Sequence, residues 1–186
     1  MIILILGPMF SSKTTTCISY VKKYSFSNKK CMFIGHSHDT RYRSDEKQAV
    51  ITHDKISVEG FITNDLNTLE KEIETHDVIG IDEIQFFGTS SIELIKKYSD
   101  QGKVFVCSGL NGDYNRKCFE SVYSLIGMAS DLIFLKAVCV NCAKHIDNAV
   151  FSYKKSVSDN NLNIIEVGGI EKYIPVCESC YVKLSN

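Results

Sequence analysis

An α/β fold is predicted for this chain: a mostly parallel sheet with helices on both faces, followed by a small C-terminal unit. Three observations carry the prediction. Short apolar runs recur from residue 2 to residue 136 without alternating with polar residues, as strands covered on both faces do. Stretches of helical apolar spacing separate them, and strand alternating with helix implies parallel strands joined by crossovers. At Val138 the alternation stops and a segment with two C-x-x-C pairs begins, so two domains are expected, 1–137 and 138–186.

The first strand is Ile2–Leu6. It runs into Gly7-Pro8-Met9-Phe10-Ser11-Ser12-Lys13-Thr14 and then a helix whose face is Cys17, Ile18, Val21 and Tyr24. A strand, a tight loop and a helix start, with Lys-Thr at the junction, form a phosphate cradle: loop amides, helix N-terminus and lysine face the anion. Thr14 is placed to offer a hydroxyl to Mg²⁺. Ser12 stands where the usual pattern has glycine. A left-handed backbone there costs a non-glycine residue about 1–2 kcal/mol.

Cys31–Ile34 is the second strand. From His36 to His76 the chain is polar, with one possible strand at Ile56–Ile62 and a helix expected over Asn67–Thr75; this segment reads as an excursion from the sheet. Val78–Ile81 is the next buried strand and delivers Asp82-Glu83 to its carboxyl edge, where ligands of open α/β sheets collect. With a phosphate loop in the same chain, Asp82 reads as the Mg²⁺-side element of a P-loop NTPase, acting through water. Glu83 reads as a base for an attacking hydroxyl. Ile92, Leu94, Ile95 and Tyr98 mark a helix, Val104–Cys107 a strand, Val122, Leu125 and Ile126 a helix, and Leu132–Lys136 the last strand.

Cys139, Cys142, Cys177 and Cys180 form the two C-x-x-C pairs. One pair alone fits a redox role. Two together suit a closed tetrahedral Zn²⁺ site that staples a segment too small for its own core and leaves no position open for substrate. The other four cysteines sit in or beside apolar segments as small hydrophobes.

Bulk properties exclude several classes. A net charge of −1, with five lysines and five acids after residue 137, argues against a nucleic-acid footprint or an anionic membrane surface. No apolar run approaches the ~20 residues of a membrane helix. Ile2–Leu6 is too short for a signal-peptide core and has no basic flank, so a cytoplasmic protein without disulfides is expected.

The ordered set Gly7-Pro8-Met9-Phe10-Ser11-x-Lys13-Thr14, Asp39-Thr40-Arg41-Tyr42, Thr52-His53-Asp54, Ile81-Asp82-Glu83-x-Gln85-Phe86-Phe87, Val167-Gly168-Gly169 with Tyr173, and the two cysteine pairs resembles the thymidine kinases of the cellular and poxviral type. The resemblance spans nearly the whole chain. It implies ATP-dependent phosphorylation of the 5′-hydroxyl of thymidine, with Mg²⁺ and structural Zn²⁺. It implies that Gly7–Thr14, Asp39, Thr40, Arg41, Asp82 and Gln85 serve ATP and metal, with Glu83 as general base. Tyr114 matches the aromatic wall of the thymine pocket, joined by Phe86, Leu110 and Phe119. Ile164, Ile165, Glu166, Val167 and Gly168 match a zinc-rooted lasso, with Tyr173 near the sugar. Read alone, Tyr114 fits an ordinary surface or core aromatic better than a pocket wall. A homotetramer inhibited by thymidine triphosphate is implied as well.

Where the family pattern has other residues, this chain has Ser12, Ile84, Tyr114 and Cys118, and Lys154 and Lys155 lie near a missing lasso arginine. Ile84 is expected to crowd the nucleotide, and nucleotide binding to be weaker or altered. The alternative readings are a catalytically weak nucleotide-binding scaffold and a P-loop kinase of another deoxynucleoside.

Overall fold

A computed structural model describes residues 1–38, 49–51, 57–143, 148–155 and 171–186. Six strands make one sheet: β1 (Ile2–Gly7), β2 (Cys31–His36), β5 (Phe61–Thr63), β6 (Val78–Ile81), β7 (Val104–Leu110) and β8 (Asp131–Phe134), in spatial order β5-β2-β6-β7-β1-β8. Every pairing in it is parallel. The apolar strands split their side chains by parity. Ile2, Leu4 and Leu6 join Ile79, Ile81, Phe105 and Cys107 in one cluster, while Ile3 and Ile5 join Val78 and Val106 in another. A side-chain period of two, with both faces covered, is why these strands read as unbroken apolar runs.

Helix α1 (Lys13–Ser25) covers one face through Cys17, Ile18 and Val21. On the other face lie α2 (Glu70–Thr75), α3 (Thr89–Asp100) and α4 (Glu120–Ile126), which contribute Ile73, Ile92, Leu94, Ile95, Tyr98, Val122 and Leu125. Each large apolar side chain taken out of water in this way stabilises the fold by about 1.5–3 kcal/mol. Asp65 starts the turn before α2: its carboxylate accepts the Asn67 amide at 3.1 Å and the Ser91 hydroxyl of α3 at 3.3 Å.

Three expectations are corrected. The strand read at Ile56–Ile62 is two strands: β4 (Ser57–Glu59) pairs antiparallel with β3 (Ala49–Ile51), and after Gly60 β5 rejoins the main sheet beside β2. The helix read at Asn67–Thr75 opens as a 3-10 turn over Leu66–Leu69 before α2. Full two-sided cover fails at the sheet's end. Among the described residues β8 pairs only with β1 at the end of the sheet; Leu132 and Phe134 are about half exposed, and Ile126, in the last turn of short α4, is exposed with them. Among the described residues, no helix is long and apolar enough to cross a membrane.

After β8 the chain adds an antiparallel hairpin, β9 (Phe151–Lys154) with β10 (Tyr173–Val176), and helix α5 (Glu178–Ser185). Ala137, Cys139, Ala149, Val176, Cys177, Cys180 and Tyr181 form a separate buried cluster there. Contacts of the hairpin and of the residue before it with the sheet's carboxyl end include two hydrogen bonds. Ser152 Oγ accepts the Met9 amide at 3.0 Å, and the Asn111 side-chain amide donates to the Val150 carbonyl at 3.1 Å.

Candidate functional site

The phosphate loop leaves β1 with no slack. A Cβ on Gly7 would lie 2.5 Å from Ser11 Oγ and 2.6 Å from the Leu135 carbonyl oxygen, so only glycine lets the chain turn there. Phe10 (φ 63°) and Ser12 (φ 60°) both take the left-handed conformation. The geometry expected at Ser12 from its missing glycine is therefore present, together with its strain. The Lys13 ammonium folds back and donates to the Pro8 carbonyl at 2.6 Å, and the Ser11 hydroxyl donates to the same oxygen at 2.9 Å. Ser12 gives α1 no side-chain cap, and no acid occupies its first turn. A helix start with that composition favours an anion.

Asp82 meets the loop directly. It is buried, its backbone amide donates to the Ile34 carbonyl at 2.9 Å, and its two oxygens accept from Thr14 Oγ1 at 2.8 Å and Ser108 Oγ at 2.6 Å. Lys13, Thr14 and the Asp82–Glu83 edge thus share one end of the sheet. The donors are all oxygens, the set that a hard cation such as Mg²⁺ takes. Ser108 was not legible as a site residue, although a serine inside an apolar strand was a usable signal.

Glu83 is half-buried and left-handed (φ 55°). Its carboxylate accepts a hydrogen bond from the Gln85 side-chain amide, and the Gln85 oxygen accepts the Leu110 amide at 3.1 Å. Gln85 therefore links the β6 edge to the β7 edge. Gly109 makes room for it: a Cβ there would lie 2.6 Å from the Gln85 amide oxygen and 2.7 Å from an Ile84 methyl. Ile84 is fully buried in the main apolar cluster. The expectation that Ile84 crowds a nucleotide is corrected, because the left-handed turn at Glu83 sends the following side chain into the core.

Beyond Gly109, Leu110, Tyr114 and Phe119 are all partly exposed, and Phe119 packs its inner side on the main core. The Tyr114 ring centroid lies 6.4 Å from that of Tyr173, and Lys154 Nζ lies 5.3 Å from it. Phe86 is half-buried and its ring approaches those of His36 at 5.5 Å and His38 at 5.7 Å. His36 is buried, and its Nδ1 accepts the His38 amide at 3.1 Å, a cluster that no sequence signal announced. Asp39, Thr40, Arg41, Ile164, Ile165, Glu166, Val167 and Gly168 lie outside the described residues. A separate cleft of about 460 Å³, between Tyr24, Asp77, Tyr98 and Lys103, lies at the amino end of the strands and includes none of these groups.

The four cysteines converge. The sulfurs of Cys139, Cys142, Cys177 and Cys180 lie within 4.8 Å of one another. Cys142 Sγ and Cys177 Sγ are 3.8 Å apart. A tetrahedron with Zn–S bonds of 2.3 Å has edges of about 3.8 Å. The Ser179 hydroxyl and the Cys180 amide hold the Cys177 thiol at about 6, well below its ordinary 9.0. Burial pushes Cys139 up, yet the amides of Cys177, Cys142 and Asn141 and the Cys142 thiol together outweigh it and leave that thiol lowered too. At Cys180 a hydrogen bond from Asn141 lowers the thiol, but burial and the three neighbouring sulfurs raise it to about 11. Donor type, number and spacing fit Zn²⁺.

Known proteins match this chain in sequence over most of its length. The thymidine kinase family profile matches residues 1–181. Thymidine kinase 1 of Dictyostelium discoideum is 40% identical over 178 residues, covering 95% of this chain and 75% of that protein. The thymidine kinase of Fowlpox virus is 37% identical over 179 residues, covering 95% and 94%. Among solved structures, the replication initiator DnaA bound to AMPPCP and single-stranded DNA aligns with TM-score 0.47 and 9% identity, over 73% of this chain and 40% of that one. On the family match and the extent of these identities, the chain belongs to the thymidine kinase family and is an ATP-dependent thymidine phosphotransferase.

Proposed function

We propose that the 5′-hydroxyl of thymidine attacks the γ-phosphorus of ATP at the carboxyl end of the sheet, with Glu83 as general base. The Glu83 carboxylate takes the hydroxyl proton, the new O–P bond forms, and ADP leaves with the electrons of the broken bond. Lys13 and the loop amides of Gly7–Thr14 offset the phosphate charge. Thr14 and Asp82 would hold Mg²⁺, which would neutralise phosphate charge when bound. Gln85 keeps the base oriented through its own tie to the Leu110 amide. Leu110, Tyr114 and Phe119 wall the thymine, Phe86 and Tyr173 border the nucleoside, and the family resemblance assigns Ile164–Gly168 to nucleoside binding as well.

The observation that carries this reading is the Thr14–Asp82 hydrogen bond, which joins the phosphate loop to the strand edge bearing Glu83. The test is phosphoryl transfer from γ-labelled ATP to thymidine by Glu83→Gln. Turnover is expected to fall by about 10²–10⁴, with ATP binding preserved. Retained turnover rejects Glu83 as the base.

We read residues 138–186 as a unit stapled by Zn²⁺ on the four cysteines, in a cytoplasmic homotetramer that its end product, thymidine triphosphate, inhibits. Support for self-association comes from edge strand β8, whose Leu132 and Phe134, with Tyr123 and Ile126 of α4, expose apolar surface. Sedimentation of Leu132→Glu against the parent protein tests that part: a smaller species is expected.

A further inference from the structure

The turn that carries Tyr114 is rigid within itself and clamped from outside. Asp113 Oδ1 accepts the amides of Asn115 and Lys117, each at 2.8 Å, and the Asp113 amide donates to the Lys117 carbonyl at 2.8 Å. The clamp comes from the cysteine cluster. The Tyr181 hydroxyl donates to the Tyr114 carbonyl at 2.7 Å. Arg116, left-handed at φ 64°, lays its guanidinium 4.6 Å over the Tyr181 ring and 5.5 Å over that of Phe151. Tyr181 directly follows Cys180 and is buried in the cluster with the four sulfurs. On the other side, Tyr173 and Lys154, direct partners across the β9–β10 hairpin, both approach the Tyr114 ring. Three elements of the C-terminal segment therefore hold this one residue: β9 and β10 at its ring, and α5 at its carbonyl.

We infer that Tyr181 and Arg116 are positioning residues for the nucleoside, fixing the height and tilt of the Tyr114 ring so that the cysteine cluster sets base selectivity through this clamp. The inference rests on the reading of Tyr114 as a wall of the thymine pocket. A hydroxyl bonded to a main-chain carbonyl determines where the turn sits, and a guanidinium stacked on two rings resists its rotation. Neither group needs to touch the substrate. Their effect is expected chiefly on the base side, since Asp82 is held by Thr14 and Ser108 and Glu83 by Gln85.

The experiment is a steady-state cycle with Tyr181→Phe, Tyr114→Leu and the double variant, measuring KM for thymidine and for ATP separately, with bound zinc measured by a colorimetric chelator. Tyr181→Phe is expected to raise the thymidine KM roughly two- to tenfold, to narrow the preference for thymidine over deoxyuridine, and to leave kcat, ATP KM and zinc content within about twofold of the parent. Tyr114→Leu is expected to raise thymidine KM further, and in that background Tyr181→Phe should add nothing. Arg116→Gln, an exposed position that does not threaten folding, is expected to raise thymidine KM roughly two- to fivefold. This variant carries the test if Tyr181→Phe does not yield folded protein. An unchanged thymidine KM in both clamp variants, with Tyr114→Leu still impaired, overturns the inference and leaves the pocket reading intact. Equal changes in thymidine and ATP KM, or an effect of Tyr181→Phe that persists beside Leu at position 114, overturn it too, because they mark general loosening. No effect of Tyr114→Leu overturns the pocket reading and the inference together.

Discussion

At the phosphate end, Asp82 sits at the mouth of the sheet with both oxygens bonded to hydroxyls, and the strands around it belong to the largest apolar clusters of the molecule. At the proposed base end, Tyr114 rides on a short turn whose anchors come from a small cluster organised by four sulfurs. The first is held by burial of many side chains. The second is held by a few directional contacts and, on our reading, by a metal. A site assembled in this way has a stiff half and a dependent half, and the two should fail separately.

The largest effect should come from Asp82→Ala. It takes the acceptor from the buried Thr14 hydroxyl and leaves that of Ser108 only the longer contact to the Ile81 carbonyl at 3.4 Å, at a cost of about 1–3 kcal/mol in stability. It also removes the carboxylate proposed for the metal. We expect kcat to fall by 10²-fold or more and thermal unfolding to move down. Normal turnover by a folded Asp82→Ala protein would refute the metal-side role.

Metal removal should strike the other half. Chelation, or Cys177→Ser, is expected to raise thymidine KM by at least about tenfold, because structural zinc contributes folding energy outright in small units. Binding of a fluorescent ATP analogue should change by less than about threefold, since the phosphate loop touches the cysteine segment in few places, the Met9–Ser152 bond among them. If both ligands are lost together, the two halves are one cooperative structure and the contrast fails.

Gly109→Ala probes the seam between them. The added methyl would overlap the Gln85 amide and an Ile84 methyl. Overpacking of this kind costs about 1–3 kcal/mol, and here it also displaces the group that holds Glu83. A roughly tenfold loss in kcat with little change in either KM is expected. A change in thymidine KM alone would instead assign Gln85 to the base end.

The stiff half was largely legible in the sequence because its signals are local. An apolar run, a glycine, Lys13-Thr14 and an apolar helix face occur in order, and even the strain at Ser12 could be read from its missing glycine. The dependent half was legible only as ligands, since Cys-x-x-Cys spacing says nothing about what the metal unit leans on. Tyr181, Ser152 and the His36–Phe86 contacts join residues far apart in the chain, and no periodicity encodes them. β9 and β10 escaped because they are short and carry Ser152, Lys154 and Pro175. Exposure of Leu132 and Phe134 escaped because strand order, which makes β8 an edge, is not written in apolar spacing. Ile84 was misread because position beside Glu83 suggested proximity to ligand, whereas a left-handed turn reverses the direction of the next side chain.

Ser12→Gly should sharpen the contrast from the phosphate side. Relief of the left-handed strain contributes about 1–2 kcal/mol, offset in part by the greater freedom of glycine in the unfolded chain. A net gain of about 0.5–1 kcal/mol in stability is expected, with a lower ATP KM and an unchanged thymidine KM. An ATP titration in which parent and variant coincide would remove strain at Ser12 as a cause of altered nucleotide binding.

Asp65 supplies the control, because it lies in neither half. The Asn67 amide, which its carboxylate accepts, holds its ionisation below the ordinary 3.8. A carboxyl lowered on folding adds stability that is complete above the unfolded value and disappears as pH falls through the folded one. Loss of such a cap costs about 0.5–2 kcal/mol, with the lower part of that range fitting a carboxylate this open to solvent. Asp65→Ala should therefore lower the melting temperature at pH 7 by a few degrees, and the gap from the parent should close as pH drops below 3.8. Both KM values should stay where they are. If thymidine or ATP KM moves with Asp65, stability alone shifts substrate binding, and separate failure of the two ends could no longer be read from KM.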